Sequence, residues 1–140
     1  MSAREYLSRL LYLSEKIKAD RERVERLKEQ AQKRTSSLSP DKVQSSGSAS
    51  KTADAVCEWV VIEKQIAEDE KKIQEIISTI EQLEPYESLV LYQRYKNDKS
   101  LGEISRDIHR SYSWVAKVHR IGVKKIQRIL DERKGNSPKI

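Results

Sequence analysis

Two stretches of this 140-residue chain carry apolar residues in steps of three and four, and that spacing restricts its fold more than any other feature. In the first, Ala3, Tyr6, Leu10, Leu13, Ile17, Asp20, Val24, Leu27 and Ala31 recur, with one polar break at Asp20. In the second, Ala55, Trp59, Ile62, Ile66, Asp69, Ile73, Ile76, Ile80 and Leu83 do the same, with the break at Asp69. A heptad of this kind keeps one narrow apolar stripe facing a partner helix, so both stretches are predicted to be coiled-coil helices. The first opens on Ser2 and Glu5, spaced as a capping box in which each side chain serves an orphan amide of the first turn.

Between them lies TSSLSPDKVQSSGSAS, residues 35–50, rich in Ser with one Pro and one Gly. Such a run cannot repay its ordering entropy by burial, so it is predicted to be a flexible loop. Its length lets the second helix fold back on the first. The antiparallel register that results sets Leu27 against Ile62, Val24 against Ile66, Ile17 against Ile73, Leu13 against Ile76 and Tyr6 against Leu83. It also sets Asp20 beside Asp69, where two carboxylates repel unless hydrated or paired with a lysine. The same heptads suit a coiled-coil dimer, and both pairings stay open.

The composition agrees with long helices rather than a large globular core: there is no Phe, Gly is scarce and 36% of residues are charged. A single cysteine, Cys57, excludes an internal disulfide and fits a reducing cytosol. With only His109 and His119 as histidines, no metal or cofactor site is expected, and no nucleophile–base pair or Gly-rich phosphate loop suggests an enzyme. No apolar run approaches the roughly 20 residues of a membrane span. The amphipathic, charged start MSAREYLSRL does not resemble a signal peptide.

Charge is divided unevenly. Residues 86–140 hold 13 Lys and Arg against 6 Asp and Glu, whereas residues 1–85 hold 15 against 16. From Ile108 to Leu130 there is no acid at all, but there are Arg110, Lys117, Arg120, Lys124, Lys125 and Arg128. A phosphate backbone is held by such cations, so a basic segment beside a neutral one points to nucleic acid as partner.

The basic segment is predicted to form three helices. Pro85 ends the long second helix. Residues 86–96 follow as a short helix offering Leu89, Leu91, Tyr92 and Tyr95 to a core. After the polar turn 96–99, Ser100 and Glu103 form a capping box for a helix burying Leu101, Ile104 and Ile108. His109 and Arg110 make a tight turn, and Ser111 caps a last helix running to about Lys134, where Gly135 is suited to a left-handed stop. On that helix Val115, Val118, Gly122, Ile126 and Ile129 share the core side, with Trp114 and Ile121 on the seam. Ser111, Tyr112, Ser113, Ala116, Lys117 and Arg120 are candidates for the groove, and Lys124 and Arg128 for the backbone. The predicted domains are therefore 1–84, a helical hairpin with its loop, and 85–134, a helix–turn–helix, followed by a disordered tail, 135–140.

Residues 83–130 resemble the promoter-reading C-terminal domain of bacterial sigma factors. The matching features are Leu83-Glu84-Pro85, Leu91, Arg94-Tyr95, Leu101, Glu103-Ile104, Ile108, Ser111, Val115, Val118 and Lys124-Lys125-Ile126. With the Val43–Ser48 stretch, Ala53-Asp54 and Val118-His119, the whole chain resembles the ArpU- and RinA-like phage regulators of late transcription. It departs from the sigma pattern at His109 and Arg110, where Gly and an aliphatic are usual, and at Tyr112 and Ser113, where Arg and Glu are common. His tolerates a left-handed backbone better than most residues, so the turn survives with some strain. The resemblance implies an all-α fold, a long antiparallel helical hairpin followed by a sigma region-4-like helix–turn–helix. It implies an activator of phage late genes that binds double-stranded DNA in the host bacterial cytoplasm. The hairpin would dimerise the protein or contact host RNA polymerase. A small-terminase-like DNA-packaging protein also joins a helix–turn–helix to a coiled coil, and a purely structural coiled coil with a basic tail is a third reading.

Overall fold

The computed structural model describes residues 1–36 and 46–135, with side chains over 1–33 and 53–135. Its five helices are α1 (Ala3–Ser36), α2 (Ser46–Glu81), α3 (Pro85–Tyr95), α4 (Leu101–Asp107) and α5 (Tyr112–Gly135), and no strand occurs among the described residues. The protein is all-α. Within the stretch 35–50, predicted to be a loop, Thr35, Ser36 and Ser46 to Ser50 are helical instead. Once a helix is nucleated, adding small residues such as Ser and Ala at its end costs little. Residues 37–45 and the predicted tail 136–140 lie outside the described residues. Gly135 also departs from its expected role. No described glycine has positive φ, so helical geometry runs through it instead of stopping in a left-handed cap.

The chain divides into two compact units, Glu15–Lys71 and Met1–Ser14 with Lys72–Ile140, so the expected boundary at 84/85 falls inside a unit. The first turns of α1 and the last turns of α2 fall in one compact unit with α3, α4 and α5. Side-chain hydrogen bonds tie them to α5. The orphan amide of Ala3 donates to Gln127 Oε1 of α5 at 2.7 Å, and Gln127 is held by donating to Asp131 at 3.1 Å. Thr79 is fully buried on α2. Its one proton goes to the Glu75 carbonyl at 3.0 Å, so Tyr6 Oη (3.0 Å) and Arg133 Nη2 (2.9 Å) approach its oxygen as donors. The Ser2–Glu5 capping box forms in both directions, at 3.2 and 3.4 Å.

Pro85 stands at the first position of α3, where its missing amide would be unpaired anyway. The end of α2 is closed by the Leu83 amide on Ile80 O and by the Ser88 hydroxyl, which donates to the same carbonyl at 2.8 Å. Val90, Ile104 and Val115 form the centre of the three-helix core, flanked by Leu101, Ile108, Trp114 and Val118. Leu91 packs on Gly122, where an added Cβ would lie 3.1 Å from its Cδ1. A side chain at 122 would require the Leu91 side chain to give way by a few tenths of an ångström.

Within Glu15–Lys71, Ile17, Val24 and Ala31 of α1 and Ala55, Ile62 and Ile66 of α2 are buried, as the heptads predict. The carboxylate layer resolves in favour of a lysine. Asp69, 1% exposed, accepts from Lys16 Nζ at 2.9 Å and from Gln65 Nε2 at 3.0 Å. Around that seam lie the ion pairs Arg21–Glu70, Arg23–Glu58 (2.6 Å) and Lys28–Glu63 (3.1 Å). Exposed pairs of this kind contribute about 0–1 kcal/mol each, so the apolar seam supplies most of this unit's stability.

Candidate nucleic-acid interface

The exposed face of α5 is oriented by the turn that precedes it. α4 ends in a Schellman arrangement: the His109 amide meets Arg106 O at 3.4 Å and the Arg110 amide meets Ser105 O at 3.1 Å. Such a turn needs one left-handed residue. His109 supplies it at φ 56°, as the histidine in the usual glycine position required. The Ser105 hydroxyl donates back to Arg110 O at 2.7 Å, which locks the turn. Ser111 then accepts from the Trp114 amide at 3.1 Å as the cap of α5.

From this start, Val115, Gly122 and Ile126 turn inward and are buried. Ser111, Tyr112, Ser113, Lys117, Arg120, Lys124 and Arg128 are exposed, and Ala116 is half-buried. Tyr112 stands 58% open to solvent. Among the described residues, no carboxylate lies within ion-pair distance of Lys117, Arg120, Lys124 or Arg128. These four cations are free to meet an external anion.

The other two cations of the acid-free stretch are already engaged. Lys125 Nζ donates to both oxygens of the buried Glu87 carboxylate, at 2.8 and 2.9 Å. The Arg110 guanidinium lies over Trp114 (4.9 Å to the centroid) and Tyr86 (5.3 Å), and those rings meet edge to face at 5.1 Å. Trp114 is thus a core-edge residue stacked under a cation, which fits its place on the seam. At the far end, Lys124 and Arg128 border a shallow depression with Asp131 and Glu132, so the uniformly positive stretch ends about there.

Beside the start of this face is a cleft of about 770 Å³ that reaches residues no local pattern singled out. It gathers Arg4 and Ser8 of α1, Arg94 and Tyr95 of α3, Ser100 to Gly102, and Tyr112 and His119 of α5. Tyr95 Oη and His119 Nε2 share a hydrogen bond of 2.9 Å, with their rings stacked 5.7 Å apart. Burial holds the His119 imidazole below its ordinary value, and the guanidinium charges of Arg4 and Arg94 push the same way. Burial also raises the Tyr95 phenol, against the pull of those arginines. The pair is therefore neutral near pH 7, joined by one hydrogen bond whose donor depends on the imidazole tautomer.

Among the described residues no cluster of three His, Cys, Asp or Glu could hold a metal ion. No described helix is long and apolar enough to cross a membrane. No protein-family model, curated protein or solved structure matches this chain.

Proposed function

We propose that this protein is a sequence-specific DNA-binding regulator, of the kind that activates phage late genes at a promoter with host RNA polymerase. One observation carries the reading: α5 presents Tyr112, Ser113, Lys117, Arg120, Lys124 and Arg128 on one exposed face, and among the described residues no carboxylate is paired to its cations. In a helix–turn–helix made by α4 and α5, the first turns of α5 enter the major groove and read base edges, and the later cations meet phosphate. The hairpin assignment to α1 and α2 is supported by their ion pairs, in which Lys16 and Arg21 meet Asp69 and Glu70 while Lys28 meets Glu63. The resemblance to the ArpU- and RinA-like regulators supplies the late-gene and polymerase part of the proposal, with the hairpin as the surface for polymerase or a second copy.

The test is selection of bound duplexes from a random library, followed by competition assays of Lys117→Ala and Lys124→Ala at two salt concentrations. Lys117→Ala is expected to cost about 1–3 kcal/mol on the selected site and to relax preference at one or two base pairs. Lys124→Ala is expected to weaken all duplexes alike and lower the salt slope by about 1. If Lys117→Ala weakens every duplex equally, α5 is a non-specific clamp and the regulator reading fails. Enrichment at a packaging origin in infected cells would identify a packaging protein instead.

A further inference from the structure

We infer that the cleft beside α5 binds a phosphate group of the DNA backbone, with Arg4 and Arg94 as its charged ligands. This rests on the reading of α5 as the DNA-facing helix and extends the contact surface to the first turn of α1.

The lining selects for an anion. Two arginines line the cleft and, among the described residues, no Asp or Glu does. Arg4 is exposed, and no carboxylate lies within ion-pair distance of it among the described residues. Arg94 lies over the Tyr95 ring, 5.9 Å to the centroid, with a long 3.8 Å contact to the exposed Asp98 and a 3.4 Å hydrogen bond to Lys99 O. Each guanidinium carries five donors, so most of theirs remain unspent, and the fork geometry suits phosphate. Both arginines line the same cleft, beside His119. Ser8 adds a hydroxyl, whereas Ser100 is occupied as the cap of α4, accepting from the Glu103 amide and donating to its carboxylate.

The position points to the source of the phosphate. Tyr112 borders both the cleft and the exposed face of α5, so a duplex with its groove on that face brings its flanking backbone past the opening. A free phosphorylated ligand would use the same donors, and the experiment separates the two.

On a duplex selected from the random library, binding of the wild type, Arg4→Ala, Arg94→Gln and Arg4→Lys is measured over a salt series. It is repeated on duplexes carrying one neutral methylphosphonate in turn at each backbone position. The expected result is a salt slope shallower by about 1 for Arg4→Ala and for Arg94→Gln, with the base-preference profile unchanged and the slope retained in Arg4→Lys. One methylphosphonate position should weaken the wild type and leave Arg4→Ala unaffected. Because Arg94 also holds a turn carbonyl, Arg4 alone carries the test if Arg94→Gln melts early. Wild-type slope and affinity in Arg4→Ala, while the wild type still selects a site, would overturn the cleft proposal and leave the α5 reading standing. Should the wild type select no site, the α5 reading fails. Inorganic phosphate is then titrated against the His119 ring resonances. An upward move of the His119 titration in the wild type but not in Arg4→Ala assigns the cleft to a free phosphate and overturns DNA as the source. No movement overturns the anion site altogether.

Discussion

Lys125 and Glu87 form a two-oxygen contact, 2.8 and 2.9 Å, across the α3–α5 interface, and the same Glu87 carboxylate accepts the Glu84 amide at 3.3 Å. One carboxylate thus starts α3 and fastens α5. Lys125→Ala is expected to lower stability by about 1–3 kcal/mol, because a mostly buried carboxylate loses a charge-assisted partner. The adjacent Lys124→Ala should fall within about 0.5 kcal/mol of the wild type, as expected of an exposed side chain with no ion pair among the described residues. Urea midpoints of the two variants check this. Equal losses would mean that Lys124 also has a structural role.

His109 holds φ 56° in the α4–α5 turn, a region where a Cβ costs about 1–2 kcal/mol. His109→Gly is expected to raise stability by roughly 0.5–1 kcal/mol, and His109→Val to lower it by more than that. Thermal melts of both variants are the measurement. A destabilising glycine would show that the imidazole makes a contact worth more than the strain.

Asp69 is held by Lys16 and Gln65 in an otherwise apolar seam. Because Lys16 keeps about a third of its surface in water, the pair is partly screened. A double-mutant cycle between Lys16→Ala and Asp69→Ala should give a coupling of about 1–2 kcal/mol, against less than about 0.5 for the exposed Arg23 and Glu58. A coupling near zero at Lys16–Asp69 would place the stabilisation of Asp69 elsewhere.

His119 titrates below its ordinary 6.5 in the folded chain, chiefly through burial and further through Arg4 and Arg94, with Tyr95 as its hydrogen-bonded neighbour. The unfolded chain therefore takes up this proton first as pH drops. The stability contributed by the neutral ring is whole above about 6.5 and is lost as pH falls through the folded value. Melting temperatures followed from about pH 7 to 5 should fall more steeply in the wild type than in His119→Gln. Parallel curves would exclude the His119–Tyr95 pair as a source of acid sensitivity.

The heptad positions were readable because a helix repeats every 3.6 residues, and Leu10, Ile17, Val24, Ile62, Ile66 and Ile76 are buried where that period puts them. Leu7, fully buried, escaped because a two-helix seam leaves its position at the margin. Near the start of α1 a third helix lies alongside, as the Ala3–Gln127 bond records. The sequence points to Leu89 and the structure buries Val90, since one short helix does not fix which neighbour faces inward. The exposed face of α5 followed from its 100° rotation per residue. The consumption of Lys125 by Glu87 did not, because 38 positions separate them. Arg4 was beyond any local pattern: only tertiary packing brings the first turn of α1 to the cleft bordered by Arg94 and His119.

The buried hydroxyl of Thr79 limits what the genetic alphabet can write at that position. Its proton is given to Glu75 O, and its oxygen receives Tyr6 and Arg133, so one atom joins α1, α2 and α5. Valine has the right shape but would take away the acceptor of the half-buried Tyr6 phenol and of the exposed Arg133 guanidinium. Asparagine and glutamine are too long for a site with no exposed surface. Serine alone keeps all three bonds, giving up a single methyl. A junction of three helices is thereby written in two letters, Thr or Ser, and any other letter loosens the attachment of the last helix to the first.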